Sequence, residues 1–192
     1  MNRLITIISI FILVISTGCS PNNDKGSVKD STANVTPTNQ PARPKNAVLA
    51  PGFSLARTSG EIVSMDDLKG KVILLNFWGT WCGPCRKEIP DFVKLYEKYH
   101  KDGLEIIGVT LTSGSPDKIE TFMSQWKMNY TILTDIGNNE TQQVTADYGR
   151  AVGQPITGIP TTFLIDRDGY IVKSYLGPRS EEIFYHDLKP YL

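Results

Sequence analysis

Apolar positions recur along this chain in two periods, and the switches between them outline a domain from Ala47 to Leu192. Phe53 and Leu55 alternate with polar neighbours, Gly60 marks a turn, and Ile62 and Val63 follow, which predicts a short hairpin. Ser64 is placed to cap a single helical turn through Met65, Asp66, Asp67 and Leu68, closed by Gly70. Val72 to Phe77 is too apolar for a half-exposed strand and predicts a central strand covered on both faces. Ile89, Phe92, Val93, Leu95, Tyr96 and Tyr99 then recur at three and four, the spacing of an amphipathic helix. Pro90 lies inside that helix and should kink it, and Gly103 closes it. Leu104 to Leu111 predicts a second buried strand. Pro116 to Trp126 predicts a second helix with Ile119, Phe122, Met123 and Trp126 on one face. Tyr130 to Leu133 reads as a short strand, and Asn139 to Tyr148 as a third helix ending at Gly149. Thr161 to Ile165 and Tyr170 to Leu176 form a strand pair around Asp168-Gly169, a strong hairpin signal. Ser180, with Glu181 and Glu182 behind it, opens a last helix to Leu188. The order predicts an α/β fold, a mixed central sheet with helices on both faces.

The first residues follow a different pattern. Arg3 gives a short positive start, Leu4 to Ile15 is apolar, and Ser16-Thr17-Gly18 are small residues before Cys19. The apolar run falls short of the ~20 residues a spanning helix needs, so residues 1–18 read as a signal peptide. The small residues ending at a cysteine resemble the lipobox of bacterial lipoproteins, in which the cysteine is lipidated and the peptide is cut just before it. Ser16 departs from the apolar residue usual there. An uncleaved signal anchor with Cys19 as a bystander is the alternative. Either reading puts the domain outside the cytoplasm and against a membrane. Residues 19–46 are rich in Asn, Ser, Thr, Pro and Lys, with Val28 and Val35 their only branched apolar residues, and are expected to be a disordered tether.

Composition narrows the function. Lys+Arg 20 against Asp+Glu 20 leaves no net charge, and no basic run stands out, so a nucleic-acid partner is not expected. Cys19, Cys82 and Cys85 are the three cysteines, too few for a secreted disulfide scaffold. With only His100 and His186 beside them, a structural zinc site is not expected either. The reading needs no cofactor.

The chemistry lies in Trp78-Gly79-Thr80-Trp81-Cys82-Gly83-Pro84-Cys85-Arg86-Lys87-Glu88. A C-x-x-C pair at the start of a helix can close and open a disulfide and so carry two electrons. Cys82 at the helix N-terminus has its thiolate favoured by free N–H groups and the helix dipole, and thiolate is the attacking species. Pro84 suits an early helical position. Cys85, one turn in, is the natural resolving thiol. The plain alternative is a permanent structural disulfide, which in so short a ring would stabilise little.

Phe77 to Cys85 resembles a thioredoxin active site, and Pro90 lies where that family carries its helix-kinking proline. Gly158-Ile159-Pro160-Thr161-Thr162-Phe163 is similar to the family's cis-proline loop, whose backbone at Ile159 and Pro160 would pair with substrate; a trans loop proline is the alternative. Ala50-Pro51-Gly52-Phe53-Ser54-Leu55 and Ser64 to Lys71 resemble the extracytoplasmic TlpA/ResA branch, which adds an N-terminal hairpin and a mid-chain helix–strand insertion. The resemblance implies a membrane-tethered thiol-disulfide oxidoreductase acting on a disulfide-bearing protein. A reductant in an oxidising compartment needs an electron source, so a transmembrane thiol carrier is expected as donor, and the domain is expected to be a monomer. Several members reduce apocytochrome c. Trp81, with Gly83 and Pro84, would form part of the docking surface. Asn76 stands where thioredoxins carry a buried Asp, so that proton-handling role is vacant. Glu88 matches an active-site Glu of the cytochrome-maturation members and shares a helix face with Cys85; an ordinary first-turn Glu is the alternative. The stretch Arg150 to Ile159, ahead of Pro160, is longer than the family leads one to expect and is a candidate for partner choice. A peroxidase would need a Thr-x-x-Cys setting that Cys82 lacks. A copper-delivery module would need wider cysteine spacing and a histidine near Pro160.

Overall fold

The computed structural model describes residues 41–192, so the expected signal peptide, Cys19 and most of the tether lie outside the described residues. A six-stranded sheet runs in the order β1 (Val48–Leu49), β8 (Tyr170–Leu176), β7 (Thr161–Ile165), β4 (Val72–Trp78), β5 (Leu104–Thr110), β6 (Thr131–Leu133). β4, β5 and β6 are parallel, while β7, β8 and β1 join antiparallel. The sheet is mixed, as its sequence pattern predicts.

Every residue of β4 is buried, and its alternation sorts the core into two layers. Val72, Leu74 and Trp78 pack with α1 (Gly83–Tyr99), α2 (Pro116–Gln125) and α4 (Glu181–Leu188) through Ile89, Phe92, Leu95, Ile119, Phe184 and Leu188. Ile73, Leu75 and Phe77 pack on the other side with α3 (Glu140–Ala151) through Val144 and Tyr148, and with Leu55 and Val63. Asn76 falls in the first of these rows. It is the polar position in the face that meets α1.

The N-terminal hairpin is β2 (Ser54–Ala56) with β3 (Ile62–Ser64), a sheet of its own bridged to the main one by Ala56 and Thr134. Ser64 does cap the next turn, a 3₁₀ turn over Met65–Leu68: its N–H and hydroxyl both reach Asp67 Oδ2 at 2.7 Å. The expected strands and helices are all present, with three differences. β1 was not legible in the sequence. Trp126, grouped with Ile119, Phe122 and Met123 on one helix face, is only half-buried against the core and stacks on Phe122 with ring centroids 5.6 Å apart.

The third difference concerns α3, which continues through Gly149 to Ala151 rather than ending at Gly149. The chain turns instead at Gly153, with φ 75. Gly149 serves close approach: a Cβ there would lie 3.1 Å from Gln154 O and 3.2 Å from Ile156 N and Pro155 Cα. The loop ahead of Pro160 is therefore folded back onto the helix.

Order also reaches upstream of Ala47. Arg43 donates to Asp166 at 2.5 Å, pairs with Asp168, and lies over the Tyr170 ring at 4.2 Å. These contacts sit at the β7–β8 turn, the end of the sheet opposite the cysteines.

Candidate active site

β4 delivers the chain to Trp78, and Gly79-Thr80-Trp81 turns it into α1 with Cys82 as the N-cap. Cys82 keeps an extended backbone at φ −81, and its Sγ accepts the Cys85 N–H at 3.2 Å. Gly83 and Pro84 fill the first helical positions, where proline's missing N–H costs nothing. The helix thus aims its positive end at the Cys82 sulfur, which favours a thiolate when the pair is reduced. Cys82 and Cys85 form a disulfide with Cα atoms 5.3 Å apart. Both residues are buried, Cys85 more so.

Facing the pair is the Ile159–Pro160 peptide bond, which is cis. Cys82 Sγ lies 3.6 Å from the Ile159 carbonyl oxygen. The loop is pinned on both sides of the proline: Thr161 Oγ1 donates to Gly158 O at 2.7 Å, and Gly177 N–H donates to Pro160 O at 2.8 Å. Trp81 is exposed, and its indole N–H donates to Leu111 O at 3.2 Å. Thr80 N–H donates to Ser113 Oγ at 3.1 Å. Between these two anchors Thr112 adopts φ 47, an unusual conformation for a β-branched residue.

Glu88 is not an ordinary first-turn glutamate. It is 1% exposed, against 4% for Asn76 and 1% for Thr162. One carboxylate oxygen accepts the Arg179 backbone N–H at 2.9 Å, and the other accepts from Asn76 Nδ2 at 3.3 Å. Burial pushes its pKa up to about 8 against the lowering effect of the Arg179 N–H and charge; Asp91 raises it further and the Asn76 amide lowers it. A carboxyl with that affinity exchanges a proton near neutral pH, the condition for moving protons to and from a thiol. Burial, and then the Glu88 charge, push the Tyr130 hydroxyl well above its usual range.

The structure brings Cys82, Cys85, Gly83, Pro84, Ile159 and Pro160 together, sets Trp81 at the surface beside them, and buries Glu88 one turn along α1 from Cys85. Cys19 lies outside the described residues. Sequence reasoning missed Thr162 and Arg179. Thr162 faces Asn76 only through the β4–β7 register, and Arg179 carries no signal beyond preceding the Ser180 cap.

A family model described as AhpC/TSA family matches residues 47–174. The thiol-disulfide oxidoreductase ResA of Bacillus thuringiensis (strain Al Hakam) is 37% identical over 134 residues, 69% of this chain and 70% of its own. ResA of Bacillus subtilis (strain 168) is 36% identical over 138 residues, 72% of this chain and 70% of its own. A thiol:disulfide interchange protein of the thioredoxin family from Chlorobium tepidum TLS superposes with a TM-score of 0.65 at 32% identity, over 79% of this chain and 98% of that one. With the disulfide at a helix N-terminus and a cis-proline facing it, these likenesses agree: the chain belongs to the AhpC/TSA family of thioredoxin-like proteins and is a thiol-disulfide oxidoreductase.

Proposed function

We propose that the protein is a membrane-tethered, extracytoplasmic reductase of disulfides in exported proteins, apocytochrome c among the candidate targets. Cys82 is the nucleophile, Cys85 the resolving thiol and Glu88 the proton acceptor. The Cys82 thiolate attacks one sulfur of the target disulfide; a mixed disulfide forms, and the other target sulfur leaves as a thiolate that takes a proton from water. Cys85 passes its proton to Glu88 and attacks Cys82 Sγ. The Cys82–Cys85 bond forms, the mixed disulfide breaks, and the second target thiolate leaves. The target has gained two electrons and Glu88 holds a proton.

The observation that carries this reading is the buried Glu88 carboxyl beside a closed disulfide, with its proton affinity raised to about 8. That is the state expected of an acceptor after turnover. Re-reduction runs the same path backwards, with Glu88 returning the proton to Cys85. A thiol carrier in the membrane is the donor this requires, and lipidated Cys19 on its tether would keep the domain beside it. Ile159 and Pro160 offer backbone to the target, Trp81 with Gly83 and Pro84 its docking surface, and the loop from Val152 to Ile159 its selectivity.

The direction of transfer is tested by equilibrating the protein with thiol–disulfide buffers. A reductase sits near thioredoxin, about −270 mV, as the shared Gly-Pro dipeptide suggests. A potential near that of DsbA, about −120 mV, makes it an oxidase instead.

A further inference from the structure

The segment between β8 and α4 touches both halves of the site. Gly177, at φ 82, donates its N–H to Pro160 O at 2.8 Å. Two residues later Arg179 donates its backbone N–H to Glu88 Oε1 at 2.9 Å. The Arg179 guanidinium folds back on its own segment, with Nη1 donating to Pro178 O at 2.8 Å and Gly177 O at 3.2 Å. Among the described residues it pairs with no carboxylate, so its charge is not cancelled locally.

The other groups around Glu88 do not supply that charge. On α1 they are Cys85 one turn before and Asp91 one turn after, the latter opposing a second carboxylate. On β4 there is the neutral Asn76 amide, with Thr162 of β7 behind it. Tyr130, just ahead of β6, holds its proton through the ordinary pH range. Tyr175 on β8, the other group Arg179 acts on, hydrogen-bonds Asp187 at 2.8 Å. The positive charge felt by Glu88 is that of Arg179.

We propose that Arg179 is a positioning residue that sets the charge state of Glu88: its backbone N–H fixes one carboxylate oxygen, and its guanidinium favours the ionised carboxylate that receives the Cys85 proton. The mechanistic meaning rests on the reading of Glu88 as the Cys85 proton acceptor. A neighbouring charge at a buried site moves a carboxyl pKa by about one unit, enough to change the ionised fraction of Glu88 at neutral pH about tenfold. Because Gly177 also holds Pro160, the test removes the charge and keeps the backbone bonds.

Infrared titration of the oxidised full chain reads Glu88 directly. Exposed carboxyls ionise near pH ~4, so a protonated-carboxyl stretch lost between about pH 6 and 10, and missing in Glu88→Gln, belongs to Glu88. Arg179→Met should raise the Glu88 proton affinity about tenfold, and Arg179→Lys should change it less than about twofold. Arg179→Gln repeats the measurement should the Met variant not fold. An unchanged titration in the neutral variants overturns the proposal, as does an equal shift in Arg179→Lys. The pH profile of disulfide closure separates the two ideas. A shift in the infrared titration without one in the rate supports the Arg179–Glu88 link and rejects Glu88 as the acceptor for Cys85.

Discussion

The Asn76 amide nitrogen donates both to Glu88 Oε2, at 3.3 Å, and to Thr162 Oγ1, at 2.9 Å. It thereby joins the strand entering the cysteine motif, the strand leaving Pro160 and the only carboxylate buried among the described residues of α1. Asn cannot take up a proton itself, but it can fix Glu88, the group proposed to do so. The vacancy seen at Asn76 in the sequence and the candidacy of Glu88 are therefore one arrangement rather than two.

Glu88→Gln keeps the hydrogen-bond acceptor to Arg179 and removes the proton site. With general-base catalysis worth at least about 100-fold, closure of the Cys82–Cys85 bond from the mixed disulfide should slow by about that factor. Attack by Cys82 should change far less. Stopped-flow kinetics with a fluorescent mixed disulfide resolves the two steps, and equal slowing of both would remove Glu88 from the proton path.

The same residue predicts how stability depends on pH. Its pKa is 4.5 as an ordinary carboxyl and about 8 in the folded oxidised protein. The folded state binds this proton more tightly, so the stability it contributes is fully present below pH 4.5, falls as pH rises to about 8, and is flat above. Across that window the oxidised wild type should lose a few kcal/mol relative to Glu88→Gln, which cannot titrate. Denaturant unfolding of both proteins at several pH values measures the difference. A constant difference means that Glu88 ionises as an exposed group does.

Gly149→Ala tests the loop ahead of Pro160. The added Cβ meets Gln154, Pro155 and Ile156 backbone at 3.1–3.2 Å, and backbone must give by a few tenths of an ångström. A clash of about 1–3 kcal/mol is partly offset by about 1 kcal/mol of helix propensity, so the net loss of stability is small. The displaced loop should instead raise KM for a protein target severalfold and leave reduction of a small disulfide unchanged. Equal effects on both substrates would mean that the loop does not select partners.

What the sequence made legible follows from what each signal depends on. The near-continuous apolar run Val72 to Phe77 and the three-and-four spacing of α1 are local patterns, and both elements formed where expected. The C-x-x-C pair was legible from its spacing, and Pro160 through the resemblance of its loop to the thioredoxin cis-proline loop. Gly149 misled because glycine ends helices and also permits close approach, and only the folded loop distinguishes the two. β1 is too short to carry a period of its own, and its pairing with β8 is long-range. Arg43 was read as tether because its partner Asp166 lies across the β7–β8 turn. Thr162 reaches Asn76 through strand register and Arg179 reaches Glu88 through a backbone N–H, neither of which leaves a trace in residue type.

The account stands on Cys82 as the attacking thiol and Cys85 as the resolving one. The direct test is Cys85→Ser, expressed in a cell and quenched with acid to freeze thiol exchange. It should accumulate target proteins joined to Cys82 by mixed disulfides that reductant releases, while Cys82→Ser captures none. Capture by Cys82→Ser instead, through Cys85, would contradict the assignment of roles on which the mechanism is built.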